Sequence, residues 1–119
     1  MSRHKPILYI VVPCYNEEQV LPHTNPMFVE KIEQLIKKEE IHCHSKIMYV
    51  NDGSKDRTWE LIESYAKSIP SVVGVSQSRN RGHQSSVLAG MYEAIQFADI
   101  VITIAVSYTH LTLPTKRIV

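Results

Sequence analysis

Four short runs of apolar, mostly β-branched residues alternate along the chain with three segments in which apolar residues recur at helical spacing. The runs are residues 7–12, 46–50, 72–76 and 100–104. Because they are nearly continuous rather than alternating, they are typical of strands that are buried on both faces. Strands that alternate with helices predict a parallel sheet connected by helical crossovers. We therefore predict an α/β fold, a three-layer Rossmann-like parallel sheet in the order β-α-β-α-β-α-β.

The three intervening segments carry apolar stripes that predict amphipathic helices packed on the sheet. In the first segment, Asn25 is expected to cap the helix and Pro26 to occupy its first position. The second helix is expected to end before Pro70. The apolar stripes of the first two helices are Phe28, Ile32, Leu35 and Ile36, and Trp59, Ile62, Ala66 and Ile69. The buried face of the third is expected to be Leu88, Met91, Tyr92 and Ile95.

The composition suits one small globular domain, with 119 residues of which 44% are hydrophobic. Thirteen basic residues against twelve acidic ones give no electrostatic basis for a nucleic-acid partner. The longest apolar run, residues 7–12, is too short to span a bilayer, and no secretory cleavage site follows it. The two cysteines, Cys14 and Cys43, do not make a disulfide framework, so we expect a reducing, cytoplasmic environment.

Three potential metal ligands follow one another at His42, Cys43 and His44. Adjacent residues rarely converge on one ion, and no second cluster completes a tetrahedral set. We therefore interpret this segment as a polar connection before a strand and predict no metal site in the chain.

Polar residues follow the first strand, at the end of a parallel sheet where ligands bind. Pro13 lacks an N–H and is expected to stop the strand ladder. Tyr15 offers a ring against which a base can stack, and Asn16 and Glu17 offer hydrogen-bonding groups. The alternative is a polar loop with a packed tyrosine.

The segment after the second strand places Asp52 at the strand tip, where its carboxylate can accept hydrogen bonds from a base N–H or a ribose hydroxyl. Gly53 permits a left-handed turn, and Ser54 or Asp56 can cap the next helix. The alternative is that Asp52 only shapes the turn.

Residues 78–86, after the third strand, open a helix whose free N–H groups favour anions. Arg79 and Arg81 add positive charge that suits a diphosphate. The segment is neither a Walker loop nor the three-glycine Rossmann fingerprint. His83 can contact a phosphate, although a lone histidine in a loop is more often solvated.

Residues 11–18, 50–58 and 78–83 read VVPCYNEE, VNDGSKDRT and SRNRGH, and together they resemble the family 2 glycosyltransferases of the GT-A fold. Within that family, the chain is most similar to dolichol-phosphate mannose synthases and bacterial polyprenyl-phosphate glycosyltransferases. The resemblance covers residues 6–104. It implies base contacts from Pro13, Tyr15 and Glu17 and nucleoside binding by Asp52. The nucleotide-binding set that we predict is Pro13, Tyr15, Asn16, Glu17, Asp52, Gly53, Arg79 and Gly82. The family often has lysine where this chain has His83.

The resemblance also implies a reaction and its partners. The parent protein would transfer a sugar from a UDP- or GDP-sugar to a polyprenyl phosphate or glycan acceptor, with Mg²⁺ or Mn²⁺. It would work at the cytoplasmic face of the membrane, and any membrane association would come only from C-terminal parts missing here. No catalytic residue is predicted within the chain. Two alternatives remain open: a non-catalytic nucleotide-binding α/β module, and a structural fragment with no ligand.

The chain departs from the family after the fourth strand, where the family continues into an Asp-x-Asp motif that binds the divalent ion. No aspartate follows Asp99. Residues 106–115 read VSYTHLTLPT, which one frame of a widely used transposase sequencing adaptor encodes. We therefore predict that residues 1–104 are the N-terminal, nucleotide-sugar-binding part of a GT-A domain, truncated after the fourth strand. Residues 105–119 are predicted to be a non-native tail, with a genuine divergent C-terminus as the alternative, and the chain as written is predicted to be inactive.

Overall fold

The computed structural model of the protein describes residues 5–77 and 82–104, which form a parallel sheet with helices on both faces. The elements in chain order are β1 (Leu8–Cys14), α1 (Leu21–Lys37), β2 (Lys46–Asp52), α2 (Thr58–Ser68), β3 (Val72–Gln77), α3 (His83–Ala94) and β4 (Ile100–Thr103). The strand order is β3-β2-β1-β4, and every neighbouring pair is parallel. The predicted parallel α/β sheet is confirmed.

The side chains of the two central strands point alternately to opposite faces of the sheet and form two separate cores. The core against α1 and α2 contains Leu8, Ile10, Val12, Ile47, Tyr49 and Ile62. The core against α3 contains Tyr9, Val11, Met48, Val50 and Ala94. The three layers are therefore helices, sheet and helix, as the near-continuous apolar runs predicted.

β1 continues through Pro13 to Cys14, although the sequence predicted that the ladder would stop at the proline. The carbonyl of Val11 accepts the N–H of Ile104 at 3.0 Å, so Val11 directs its backbone groups toward β4. Backbone groups alternate between the two sides of a strand, so Pro13 also faces the β4 side. Pairing with β4 ends at Thr103. The missing N–H of Pro13 therefore removes no hydrogen bond to β2, and the strand can continue.

α1 begins at Leu21, ahead of the predicted start, and Pro22 occupies its first turn. The prediction that Asn25 caps the helix was wrong, because Asn25 lies inside α1 and is buried. Its Oδ1 accepts a hydrogen bond from the Tyr49 hydroxyl at 2.6 Å. Pro26 also lies inside the helix instead of at its first position. This contact with β2 binds the asparagine into the core, and sequence spacing alone does not reveal it.

The predicted buried face of α3 was wrong, since it is exposed to solvent. Its members, which face away from the sheet, are Leu88, Met91, Tyr92 and Ile95. The face that packs on the sheet contains the small residues Ser86, Gly90 and Ala94. Small residues allow the helix axis to approach the sheet closely, so the packed face of α3 carries no large apolar side chains. The prediction from the apolar stripe therefore chose the wrong face.

β4 lies at one edge of the sheet and departs from the prediction of strands buried on both faces. Ile100 and Ile102 are both exposed. Asp99, just before β4, accepts the N–H of Ile7 at 2.9 Å and so fixes the start of this strand to β1. Among the described helices, none has the length and apolar character needed to cross a membrane.

Candidate functional site

The first two loops after the strands emerge at one edge of the sheet, as predicted. Cys14 pairs with Asn51, and Asp52 pairs with Gln77, so the three strands end side by side. We refer to residues 15–20 as loop 1, residues 53–57 as loop 2 and residues 78–82 as loop 3. Of loop 3, the structure describes only Gly82.

Loop 1 is fastened to loop 2 through Asn16. The N–H of Asn16 donates to Ser54 Oγ at 2.9 Å, and its side-chain Oδ1 accepts the N–H of Lys55 at 2.9 Å. Asn16 adopts a left-handed backbone with a φ of 54°, which asparagine tolerates better than most residues. Asn16 thus holds two loops in fixed relation, a function that its sequence position alone does not indicate.

A second set of hydrogen bonds joins loop 1 to the start of α2. The N–H of Glu17 donates to Thr58 Oγ1 at 2.7 Å, and the Thr58 hydroxyl donates to Asp56 Oδ1 at 2.5 Å. Asp56 Oδ2 accepts the N–H of Glu18 at 3.3 Å. Burial raises the pKa of the Asp56 carboxyl, but the hydrogen bonds from Thr58 and from backbone N–H groups outweigh it, so this pKa lies below its usual value.

Asp52 connects the end of β2 to loop 3. Its side chain is 4% exposed, and Oδ2 accepts the N–H of Gly82 at 3.1 Å. Gly82 has a φ of 94°, a conformation that a side chain would strain, and this orients its N–H toward the carboxylate. Gly53 has a φ of 64°, so the predicted left-handed turn is confirmed. The carboxylate therefore shapes the edge, and its burial leaves it in a low-dielectric setting where a further donor would be bound strongly.

Asn51 and Gln77 add polar contacts that the motifs did not predict. Asn51 accepts the N–H of Ser54 at 3.2 Å and donates to Ser76 Oγ at 3.1 Å. Gln77 accepts a hydrogen bond at 2.9 Å from the hydroxyl of Ser86, which is in the first turn of α3. The only sequence signal for these roles is polar residues at strand ends, and their pairing depends on the strand order.

The predicted residues differ in exposure. The Tyr15 side chain is 41% exposed at this edge, whereas Glu17 is 4% exposed and Pro13 is buried in β1. The structure thus brings the predicted residues of loops 1 and 2 together with Gly82. Arg79 and Arg81, the predicted diphosphate contacts, lie outside the described residues, as do the side chain of His83 and the predicted tail at 105–119.

Cys14, close to this edge, is not a nucleophile. Its thiol is buried and donates to the Val12 carbonyl at 3.5 Å. Burial and the nearby charge of Glu17 raise the pKa of the Cys14 thiol well above its ordinary value. The thiolate needed for nucleophilic chemistry is therefore not formed near neutral pH.

An open cleft of about 410 Å³ lies between α3 and the carboxyl end of β4. It is lined by Gln84, Val87, Leu88 and Thr103. None of these side chains is a carboxylate, and no aspartate or glutamate follows Asp99 in the sequence. The donor set at this point does not fit a hard divalent cation, which requires several oxygen ligands and usually carboxylates.

Comparison with known proteins defines the family. The model of "Glycosyl transferase family 2" matches residues 9–104. The chain belongs to this family. The match includes the segments after β1, β2 and β3 that were identified in the sequence, so the resemblance inferred from those segments is confirmed.

The family members most similar to the chain include enzymes named for lipid-linked sugar transfer. The chain is 43% identical to the glycosyltransferase YkoT of Bacillus subtilis over 104 residues, which are 87% of this chain and 31% of the relative. It is 40% identical to a dolichyl-phosphate beta-glucosyltransferase of Trichomonas vaginalis (70% of this chain, 25% of the relative). It is 36% identical to a prophage bactoprenol glucosyl transferase homolog of Escherichia coli (80% and 29%). The chain therefore spans about a third or less of the length of these relatives.

Solved glycosyltransferases share the fold. The mannosyltransferase PcManGT of Pyrobaculum calidifontis, in complex with GDP-Man and Mn²⁺, superposes with a TM-score of 0.54 at 20% identity over 76% of this chain and 25% of that one. TarS of S. aureus, in complex with UDP, superposes with a TM-score of 0.59 at 19% identity over 83% and 27%. These likenesses establish the GT-A type of fold.

Proposed function

We propose that the edge formed by loops 1, 2 and 3 binds the nucleotide of a UDP- or GDP-sugar. The parent protein would then transfer the sugar to a polyprenyl phosphate or glycan acceptor. The observation that carries this proposal is the network that joins the three loops, in which Asp52 accepts the N–H of Gly82 and Asn16 bonds to Ser54 and Lys55. A site that is held rigid before ligand arrives loses less conformational entropy on binding.

The predicted residues that the structure describes have roles that suit their exposure. Tyr15 presents a partly exposed ring on which a base can stack. Asp52 can accept a further hydrogen bond from a base N–H or a ribose hydroxyl, because a carboxylate has several acceptor positions. Pro13 and Glu17 would form the buried floor beneath the base, and Gly53 would let the backbone approach it. Arg79 would offset the charge of the diphosphate.

The names of the relatives favour a lipid acceptor. Two of the relatives described above are named for dolichyl phosphate and for bactoprenol, which are both polyprenyl carriers. The two solved neighbours hold GDP-Man with Mn²⁺ and UDP, so both nucleotides remain candidates. We propose a cytoplasmic location for the site, at the membrane face in the parent.

Transfer by the chain itself is not expected. Positions 105–107 hold Ala-Val-Ser where the family has Asp-x-Asp, and none of these side chains supplies a carboxylate. Without such ligands, the charge that develops on the leaving diphosphate would be only partly offset by arginine. We propose that residues 1–104 are the natural part of the chain and that 105–119 are the adaptor-encoded tail. Incubation with UDP- and GDP-sugars and Mg²⁺ or Mn²⁺ should give no transfer, and chelator-sensitive turnover would contradict this proposal.

Calorimetric titration of the chain with UDP and with GDP tests the binding site. Asp52→Ala should weaken binding by about 1–3 kcal/mol, because it removes a buried acceptor from the nucleoside. Tyr15→Ala should weaken it by about 1–3 kcal/mol through loss of base stacking. The matched controls are Glu33→Gln and Tyr92→Ala, which alter an exposed carboxylate on α1 and an exposed ring on α3. Equal affinities in the site variants and controls would disprove the assignment.

A non-catalytic nucleotide-binding module is the second candidate, and the absence of carboxylates after Asp99 favours it for the chain as it stands. The two candidates differ in what the continuous reading frame of the source DNA contains. Sequencing across the codon of residue 105 distinguishes them, because an Asp-x-Asp motif after Ile104 would support the transferase and its absence would support the binding module.

A further inference from the structure

A second cluster of reactive side chains lies at the amino ends of the strands, in the turn before β2, opposite the candidate nucleotide site. His42, Cys43 and His44 each carry a potential ligand atom, and these atoms lie within 4.8 Å of one another. The sequence predicted that adjacent residues would not converge. They do so because residues 42–45 form a tight turn, in which the N–H of Ser45 donates to the His42 carbonyl at 3.0 Å.

Hydrogen bonds to the start of β1 hold this turn at both ends. The N–H of His42 donates to the Pro6 carbonyl at 2.8 Å. Ser45 is buried, and its Oγ accepts the N–H of Leu8 at 2.9 Å. The backbone that carries the ligands is therefore fixed, while the side chains of Cys43 and His44 are exposed and free to rotate. Such an arrangement is partly preorganised for binding.

The two imidazoles already lie close together. Their ring centroids are 4.7 Å apart, and Nδ1 of His42 accepts the N–H of His44 at 3.0 Å. The Nδ1 lone pair is thus directed back toward the turn. A metal ion bound at Nδ1 would replace this backbone donor on the same lone pair.

We propose that His42, Cys43 and His44 bind one thiophilic transition-metal ion, with Zn²⁺ as the best-matched ion. Two imidazoles and a thiolate are borderline-to-soft ligands that favour Zn²⁺ over hard Mg²⁺, and a water molecule completes four-coordination. Binding displaces the Cys43 thiol proton to solvent. Ligands at Zn²⁺ bond lengths lie about 3.5 Å apart, so rotation of the exposed side chains must bring them together by only about 1 Å.

This site is independent of the proposed nucleotide site, because it lies at the amino ends of the strands. Among the residues that the structure describes, it is the one group of three histidine, cysteine or acidic side chains placed to hold an ion. Its occupancy would constrain the turn that enters β2, next to the buried Ser45.

Titration of the purified chain with Zn²⁺ in excess Mg²⁺ tests the proposal, with Co²⁺ as a spectroscopic substitute. We expect one ion per chain and a thiolate-to-Co²⁺ absorption band. Cys43→Ser should abolish the band, and Cys43→Ser and His44→Ala should each weaken Zn²⁺ binding at least about tenfold. His23→Ala, which removes an exposed histidine from α1, is the matched control and should bind as the unmodified chain does.

Circular dichroism of each variant establishes that it is folded, which is expected because the altered side chains are exposed. Binding that persists unchanged in both Cys43→Ser and His44→Ala would overturn the proposal, as would absence of binding by the folded chain. Asp52→Ala should retain full Zn²⁺ affinity, so that loss of nucleotide binding and loss of metal binding are separable results.

Discussion

Asp56 accepts hydrogen bonds from two segments of the candidate site, and this single carboxylate holds the start of α2 against loop 1. Its partners are the hydroxyl and N–H of Thr58 and the N–H of Glu18. The sequence predicted Ser54 or Asp56 as the cap of α2, but the cap position is held by Arg57, and Asp56, one residue earlier, bonds to the N–H of Thr58. The connection of Asp56 to loop 1 depends on the pairing of β1 with β2. At the residue scale, polar side chains at this edge therefore position the backbone as well as offering contacts to a ligand.

Asp56→Ala should lower the free energy of unfolding by about 1–2 kcal/mol near neutral pH, because the N–H groups of Thr58 and Glu18 lose their charged acceptor. The folded-state pKa of Asp56 lies below its usual value, so the carboxylate contributes stability above a pH of about 3.9, the unfolded value. That contribution is lost as the pH falls through the lower, folded value. Urea unfolding at pH 7 and pH 3 should show a smaller difference between variant and parent at pH 3. A difference independent of pH, or an equal effect of the exposed control Glu60→Gln, would contradict the prediction.

Tyr49→Phe should destabilise the protein by about 1–3 kcal/mol, because the buried Asn25 side chain would lose its donor. Tyr49 is fully buried and joins β2 to α1 through this one hydrogen bond at 2.6 Å. Thermal unfolding of Tyr49→Phe and of Tyr92→Phe, an exposed tyrosine, measures the effect. Equal midpoints for the two variants would show that the bond contributes nothing.

At the scale of elements, α3 packs on the sheet through its smallest residues. A Cβ built at Gly90 would lie 2.4 Å from Val11 Cγ1 and 2.8 Å from Val50 Cγ2. These atoms belong to the two central strands, which cannot move apart without breaking their ladder. The helix can therefore lie this close only with glycine at this position.

Gly90→Ala should destabilise the protein by about 1–3 kcal/mol through overpacking, despite the helix preference of alanine, which is worth about 1 kcal/mol. Ser85→Ala, on an exposed turn of the same helix, gains the propensity without a clash and is the control. Denaturant midpoints compare the two. Adding Val11→Ala to Gly90→Ala should recover part of the loss, and a stabilised Gly90→Ala would refute the close approach.

The elements that could be predicted from sequence are those whose signals are local. The four strands and the stripe of α2 follow from apolar runs and from spacing, and the parallel order follows from their alternation. The packed face of α3 could not be predicted, because Ser86 and Gly90 carry no apolar signal and their burial depends on helix-to-sheet distance. The predicted start of α1 was wrong for a similar reason. Asn25 followed by Pro26 has the local pattern of a helix N-terminus, but the partner of Asn25 is Tyr49, which lies on another element.

The same limit applies to the candidate site. The meeting of loops 1 and 2 could be predicted from the parallel sheet, since Tyr15 follows β1 and Asp52 ends the neighbouring strand β2. The hydrogen bonds of Asn16 to loop 2 and of Asp52 to Gly82 could not, because backbone donors carry no sequence signature. The role of Arg79 remains a prediction.

At the scale of the whole molecule, exposed apolar side chains lie on both sides of the sheet. Leu88, Met91, Tyr92 and Ile95 form an apolar surface on the outer side of α3 and at the residue that follows it. Ile100 and Ile102 are exposed at the edge strand β4 and, because they pair with Leu8 and Ile10, they face the side of α1 and α2. Apolar surfaces of this extent favour association, and β4 leaves one of its edges unpaired among the described strands. The chain should therefore be poorly soluble on its own.

Leu88→Glu combined with Ile95→Lys should lower self-association and leave the melting temperature nearly unchanged, because both side chains are exposed, Leu88 on α3 and Ile95 directly after it. Light scattering over a range of protein concentrations measures the effect. Met27→Glu, an exposed apolar residue on α1, serves as the control and should change association little. A large drop in stability, or equal association in all variants, would show that this surface is not the cause.

Pro13 has a consequence for where the sheet can open. β2 and β3 lie on one side of β1 and β4 on the other, so the direction of strand succession reverses between β1 and β4. β1 directs its odd-numbered backbone groups toward β4, and Val11 is the last of these residues that can donate an N–H. Proline withholds the donor at position 13, so β1 offers no N–H toward β4 beyond Val11, whatever side chains the loops carry. This limit on the ladder is set by the main chain, and the side chains of the loops can vary without extending it.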